Sequence, residues 1–207
     1  MQIFYWPRIH DLIEIEQNLK EGVVLAGYTD TVLGLFANSN KEGFSRLNYA
    51  KNREKKPYIC LVDTPEKAKK LIDTKDYDLL FKIAPCIWPG PITVIFQVSD
   101  QYSFVSEDST IAIRIPNHEH ILRLLNNFEA LFSTSANVHG KPIATKFTEI
   151  DESIKSHLGG FIEDSKENQK KSTPSTIIRV ERNKIIILRG ELSQEIKPKL
   201  IDAGFVF

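Results

Sequence analysis

Apolar and polar positions along the chain switch between a helical and a strand period. In Asp11–Glu21, the residues Leu12, Ile15 and Leu19 fall three and four apart, which predicts an amphipathic helix with Gly22 as its C-terminal cap. Val23–Ala26 is an apolar run of strand length, Val32–Ala37 is a second, and the polar triplet Thr29-Asp30-Thr31 separates them. Glu42–Ala50 reads as a helix with Phe44 and Leu47 inward. Tyr58–Val62 reads as a strand, and Thr64-Pro65 opens another helix as N-cap and first-turn proline. Tyr77–Ile87 is helical until Trp88-Pro89-Gly90-Pro91 breaks it and feeds a strand at Thr93–Val98. Thr110–Ile115 alternates as a strand stopped by Pro116, and Glu119–Asn126 is a helix. Leu131-Phe132 starts a strand that runs into Ser133-Thr134-Ser135-Ala136-Asn137. Thr148 is expected to cap a helix carrying Ile150, Ile154 and Leu158. Lys166–Pro174 is polar and proline-ended, the expected mobile loop. Thr176–Val180 and Lys184–Leu188 flank Glu181-Arg182-Asn183 as a hairpin, and a short helix follows.

This alternation predicts one mixed α/β domain over residues 1–207, with its core at about 10–190. The 207 residues are enough to bury roughly 70% of the unfolded surface. The 27 basic and 27 acidic residues cancel, so RNA binding would need a local basic face rather than a global charge. No apolar run reaches the ~18 residues of a membrane helix. Met1-Gln2-Ile3-Phe4 lacks the basic start of a signal peptide, so the expected location is the cytosol, without membrane contact. Cys60 and Cys86 lie in apolar contexts and read as buried reduced thiols.

The common phosphate-loop, dinucleotide, zinc-protease and nucleophile-elbow motifs are missing from the sequence. His118 and His120, two apart, are a weak metal spacing, and no protein metal ligand is assigned. What remains is a set of polar turns at strand ends, Thr29-Asp30-Thr31 and Ser133–Asn137, where α/β sheets bind ligands. Simple turn formation explains either turn equally well by itself. Lys51-Asn52-Arg53-Glu54-Lys55-Lys56 carries four basic groups and one acid, suited to a solvated helix end or to a polyphosphate. Arg114 stands inside the apolar strand Ile111–Ile115, on one face with Ala112. A guanidinium there needs either a structural ion pair or an anionic ligand, because an unpaired buried charge is costly.

Six segments occur in a familiar order: Tyr28–Leu35, Lys51–Arg53 with Lys56-Pro57, Trp88–Thr93, Ile111–His118, Ser133–Asn137 and Pro174–Ile177. Together they resemble the YrdC/TsaC family of L-threonylcarbamoyladenylate synthases in its short bacterial form, over roughly Gly22–Gly190. The resemblance implies a single-domain, twisted sheet of mixed parallel and antiparallel strands, with helices around a concave basic cavity. It implies an enzyme, a nucleotidyltransferase that joins L-threonine, bicarbonate and ATP into threonylcarbamoyl-AMP and releases pyrophosphate. Partner proteins then transfer the threonylcarbamoyl group to tRNA. Carried over by motif, Thr29, Thr110, Arg114, Ser133 and Ser175 hold threonine. Lys51, Arg53, Ser135, Asn137 and Arg189 hold ATP, which brings Mg²⁺, and Lys51, Arg53 and Arg114 supply the catalytic charge. The chain departs from the family at Tyr28, where proline is usual, and at Ile143, where a serine is frequent. Lys51–Pro57 is also one residue shorter. The alternative is a divergent, non-catalytic RNA-binding protein of the same fold, motivated by the Lys51–Lys56 cluster and these departures.

Overall fold

In the computed structural model, which describes residues 2–6, 8–52, 57–164 and 172–207, strands and helices alternate through most of the chain. The strands are β1 (Gln2–Tyr5), β2 (Val24–Tyr28), β3 (Leu33–Asn38), β4 (Ile59–Leu61), β5 (Ile92–Gln97), β6 (Thr110–Arg114), β7 (Leu131–Ser135), β8 (Leu158–Glu163), β9 (Thr176–Glu181) and β10 (Lys184–Arg189). The helices are α1 (Ile9–Lys20), α2 (Lys41–Lys51), α3 (Pro65–Leu71), α4 (Tyr77–Ile87), α5 (Glu119–Leu125), α6 (Glu152–Lys155) and α7 (Ile196–Asp202). All the strands join one sheet in the order β1-β8-β2-β3-β7-β4-β6-β5-β9-β10. Parallel pairs (β1–β8, β2–β8, β4–β6, β5–β9) mix with antiparallel ones (β2–β3, β3–β7, β4–β7, β5–β6, β9–β10).

Side-chain alternation divides the sheet into two unlike faces. One carries Ala26, Leu35, Cys60, Val94, Ile113, Phe132 and Ile178 and is covered by α2, α3, α4 and α7. On the other face, Phe4, Leu25, Phe36, Leu61 and Leu131 pack under α1 and α5 through Leu12, Ile15, Ile121 and Leu124. That second cover stops partway along the strands. Beyond it, the same face continues as Ile59, Ala112, Ser133 and Ile177, which line a cavity.

Local sequence explains the helix starts. Asn40 accepts from the N–H of Gly43 at 2.8 Å and Thr64 accepts from that of Lys67 at 3.2 Å, satisfying first-turn donors. Asn52, at φ 44°, ends α2 in the left-handed region. The helix expected from Thr148 to Leu158 is instead a 3-10 turn at Phe147–Glu149, the one-turn α6 capped by Asp151, and the strand β8. Gly159 and Gly160 end helical character there, and close packing requires both. A Cβ at Gly159 would stand 2.2 Å from Val23 Cγ1, and one at Gly160 would stand 2.5 Å from Phe4 Cε2. Cys60 is fully buried, which raises its thiol and keeps it protonated. Cys86 is only partly buried, in the last turn of α4, where its Sγ donates to the Lys199 carbonyl of α7 at 3.5 Å. Of the expected mobile loop, residues 166–171 lie outside the described residues. Among the described residues, no helix is long and apolar enough to cross a membrane.

Candidate active site

The cavity encloses about 340 Å³ over the uncovered part of the sheet face. Its floor is apolar, from Ile59, Ile95, Ala112 and Ile177, and its polar groups sit around that floor. β7 shows how one strand builds both regions. Leu131 belongs to the core under α1 and α5, whereas Ser133 and Ser135, on the same face further along, line the cavity.

Arg114 enters from the last position of β6 and is 2% exposed, so its charge needs partners. Its Nη1 lies 3.2 Å from Asp30 Oδ1 and donates to Thr31 Oγ1 at 3.0 Å. Both come from the turn after β2. Thr29 organises that turn: its hydroxyl accepts from the N–H groups of Thr31 and Val32 at 3.0 Å and donates to the Val32 carbonyl at 2.8 Å. The Thr31 hydroxyl lies 2.9 Å from Thr29 Oγ1, which holds it where it accepts from Arg114. Among the described residues, the Nε of Arg114 has no hydrogen-bond partner.

Arg189, the last residue of β10, approaches from the other side. Its Nε and Nη2 donate to the Ser175 carbonyl at 3.1 and 2.9 Å, and Nη2 reaches Ser175 Oγ at 3.2 Å. Ser175 Oγ also lies 2.9 Å from Thr93 Oγ1, which is fully buried. Gly190 follows at φ 77°, where a Cβ would stand 2.8 Å from Thr176 Oγ1, so this turn needs glycine. Burial lowers the Arg114 pKa most, Asp30 opposes that, and the nearby Arg189 adds to it. Burial lowers Arg189 as well. Two guanidiniums thus face one cavity, and the Asp30 carboxylate balances one of them.

Past β7, the Lys51 ammonium from the last turn of α2 donates to the carbonyls of Ser135, at 2.8 Å, and Asn137. It is 4% exposed and braces the Ser135–Asn137 turn from beneath. Ser135 Oγ donates to Asn137 Oδ1, and Asn137 Nδ2 donates to the Lys141 carbonyl at 2.6 Å. Asn137 lines a neighbouring cavity of about 300 Å³ with Lys141, Glu149 and Asp151. Ile143 lines both cavities and joins them.

Of the residues expected from sequence, the fold brings Thr29, Arg114, Ser133, Ser135, Ser175 and Arg189 to one cavity. Lys51 lies under its edge and Asn137 lies next door. Thr110 is placed elsewhere. It stands at the start of β6, its hydroxyl donates to Asp108 at 2.7 Å, and it is not in the lining. Arg53 lies outside the described residues. Sequence reasoning missed Asp30 and Thr31 as the partners of Arg114, and His139 in the lining. The necessity of a partner for Arg114 was the available signal, but not which strand end would supply it. His118 contacts Asp164 and His120 stacks on Trp6 at 5.4 Å.

This arrangement defines an α/β protein with two guanidinium groups and several hydroxyls gathered over an uncovered patch of its sheet. The chain belongs to the Sua5/YciO/YrdC family, whose model, described as "Telomere recombination", matches residues 17–190. It is 34% identical over 178 residues to a protein of Methanocaldococcus jannaschii named "Putative threonylcarbamoyl-AMP synthase", covering 84% of this chain and 83% of that one. The solved structure of P. abyssi Sua5 complexed with L-threonine superimposes with a TM-score of 0.81 at 27% identity. That match covers 97% of this chain, which spans 61% of the Sua5 chain. E. coli YciO shares the fold at a TM-score of 0.69 and 17% identity, over 91% of this chain and 94% of YciO.

Proposed function

We propose that this chain makes threonylcarbamoyl-AMP from L-threonine, bicarbonate and ATP, releasing pyrophosphate, for threonylcarbamoyladenosine modification of tRNA. The names of its relatives support this, and one observation in the chain carries it. Arg114 and Arg189 face a hydroxyl-rich cavity of about 340 Å³, and the Asp30 carboxylate, paired with Arg114, neutralises only one of these two charges. That volume is near the lower end of small-molecule sites, about 300–1,000 Å³, and suits an amino acid rather than an amino acid with a whole nucleotide.

In this reading, the free edge of Arg114 takes the threonine carboxylate, with Ser133, Ser175 and Thr29 close to its other polar groups. The hydroxyl of Thr110, committed to Asp108, has to be released before it joins them. The amine adds to the carbon of CO₂ derived from bicarbonate, losing a proton to give the carbamate. A carbamate oxygen then attacks the α-phosphorus of ATP, and the bond to pyrophosphate breaks. No covalent enzyme intermediate is needed. The protein's task is to hold two anions together and to stabilise the charge that develops on the leaving pyrophosphate. ATP extends over the Ser135–Asn137 turn toward the neighbouring cavity, with Lys51 beneath that turn and Arg53 following α2. Magnesium comes with ATP and is held by its phosphates. Among the described residues, no group of three His, Cys, Asp or Glu is placed to hold a metal. The product passes to proteins that complete the transfer to tRNA in the cytosol.

The test is to incubate purified protein with ATP, Mg²⁺, bicarbonate and labelled threonine, then follow threonylcarbamoyl-AMP and pyrophosphate together. Equal, threonine-dependent formation of both is the expected result. A folded protein that yields neither, while binding RNA in a steeply salt-dependent way, would overturn the synthase reading in favour of a non-catalytic RNA-binding role.

A further inference from the structure

The sheet order places β3, β7 and β4 between β6 and β2, and β8 lies one strand further away. At about 4.8 Å per strand, a flat sheet would hold β6 about 19 Å from β2 and about 24 Å from β8. The segment after β6 nevertheless touches the ends of both. The Asn117 N–H donates to Asp30 Oδ2 at 2.9 Å, beside the ion pair of Arg114 with Asp30 Oδ1. The next side chain, His118, places Nε2 2.6 Å from Oδ2 of Asp164, the residue that follows β8. The sheet is therefore curled, and two contacts close the curl.

His118 has little freedom in this contact. Its Nδ1 accepts the N–H of Ile121 at 3.4 Å as the N-cap of α5, so Nδ1 carries the lone pair and Nε2 carries the proton donated to Asp164. Its carbonyl accepts the Leu122 N–H at 2.9 Å. The His118 and Asp164 side chains are 1% and 2% exposed. A short contact of this kind, shielded from water, is a firm geometric constraint. Asn117, by contrast, is exposed, and its side chain offers the loop no such anchor.

We infer that His118 and Asp164 are positioning residues for the ligand carboxylate: they clasp the β6–α5 loop to the end of β8, which fixes the Asn117 N–H, hence Asp30, hence the Arg114 guanidinium. Neither residue is part of the cavity lining. The inference rests on the reading that Arg114 takes the threonine carboxylate. It goes beyond that reading in assigning the geometry of Arg114 to a pair outside the cavity.

The experiment compares Asp164→Ala, His118→Ala and Asp164→Asn with the unaltered protein, measuring KM for threonine, KM for ATP and kcat, with melting curves as a folding control. Asp164→Ala and His118→Ala are expected to raise KM for threonine at least tenfold, with kcat and KM for ATP within about twofold. Asp164→Asn keeps an acceptor for the Nε2 proton and is expected to stay within threefold. In an Asp30→Asn background, adding Asp164→Ala should change KM for threonine less than threefold, because the link to Arg114 is already broken. An unchanged threonine KM, equal damage to both substrates, or full additivity with Asp30→Asn overturns the clasp. If Asp164→Ala does not fold, Asp164→Glu, which displaces the carboxylate by one methylene, is read in the same way. A separate readout is the Arg114 Nε–H signal in ¹⁵N spectra, which should shift in Asp164→Ala without any ligand. Absence of threonine-dependent turnover in the unaltered protein sinks the functional reading alone, whereas an unmoved Arg114 signal sinks the clasp alone.

Discussion

Arg114 is held on one edge by Asp30 and Thr31, and among the described residues its Nε has no protein partner. Its fork of donors, rather than its charge alone, is what a carboxylate would recognise. Arg114→Lys is therefore expected to keep the ion pair with Asp30 but weaken threonine binding by about 2 kcal/mol, roughly thirtyfold, the scale of one charge-assisted hydrogen bond. Calorimetric titration with threonine checks this. Arg114→Ala is a poorer probe, because it strands the buried Asp30 carboxylate and costs about 3–5 kcal/mol of stability. The sequence made Arg114 legible, since a cation in the apolar strand Ile111–Ile115 demands a partner. It left open whether that partner is a side chain or a ligand. The structure shows a protein partner at Nη1 of the guanidinium, so the structural ion pair is present and does not use all of the arginine's donors.

At the scale of elements, periodicity located most strands and helices because each has a clear apolar face. It failed for β1 and β8. β1 is an edge strand whose inward contact is essentially Phe4, since Gln2, Ile3 and Tyr5 are exposed. β8 opens Leu158-Gly159-Gly160, and Leu158 falls in helical register with Ile150 and Ile154 by coincidence. The glycines there serve strand packing against Val23 and Phe4, which no local pattern encodes. Gly160→Ala should lose about 1–3 kcal/mol to overpacking, seen as a lower midpoint in urea with an unchanged slope. The site suffered from the same limit. Ser133 and Thr29 could be picked out as hydroxyls at strand ends, and Ser175 only through the family resemblance, but Ile95 and Ile177 beneath them are indistinguishable in sequence from core residues. Thr110 shows the converse: it has the same strand and face parity as Arg114, yet its hydroxyl is tied to Asp108 at the strand's other end.

For the molecule as a whole, the large buried layer under α2, α3 and α4 sets a pH limit. Burial pushes the Tyr102 hydroxyl from 10.0 to about 12, against the opposing hydrogen bond with Ser39. The native state thus holds this proton more tightly than the unfolded state. Its contribution is fully present below about pH 10 and is lost as pH rises from 10 toward 12. Melting temperature should fall over that interval, and Tyr102→Phe, which keeps the ring among its neighbours, should fall less steeply. The sheet order has another outcome. Ser175 and Arg189 sit on the β9–β10 side of the sheet, while Thr29 belongs to its opposite half, and β9 joins the rest of the sheet through β5. A nascent chain still lacking residue 189 has one wall of the cavity missing, so ligand capture during synthesis must wait until β10 has left the ribosome, and occupancy by a substrate certifies that the sheet has been finished.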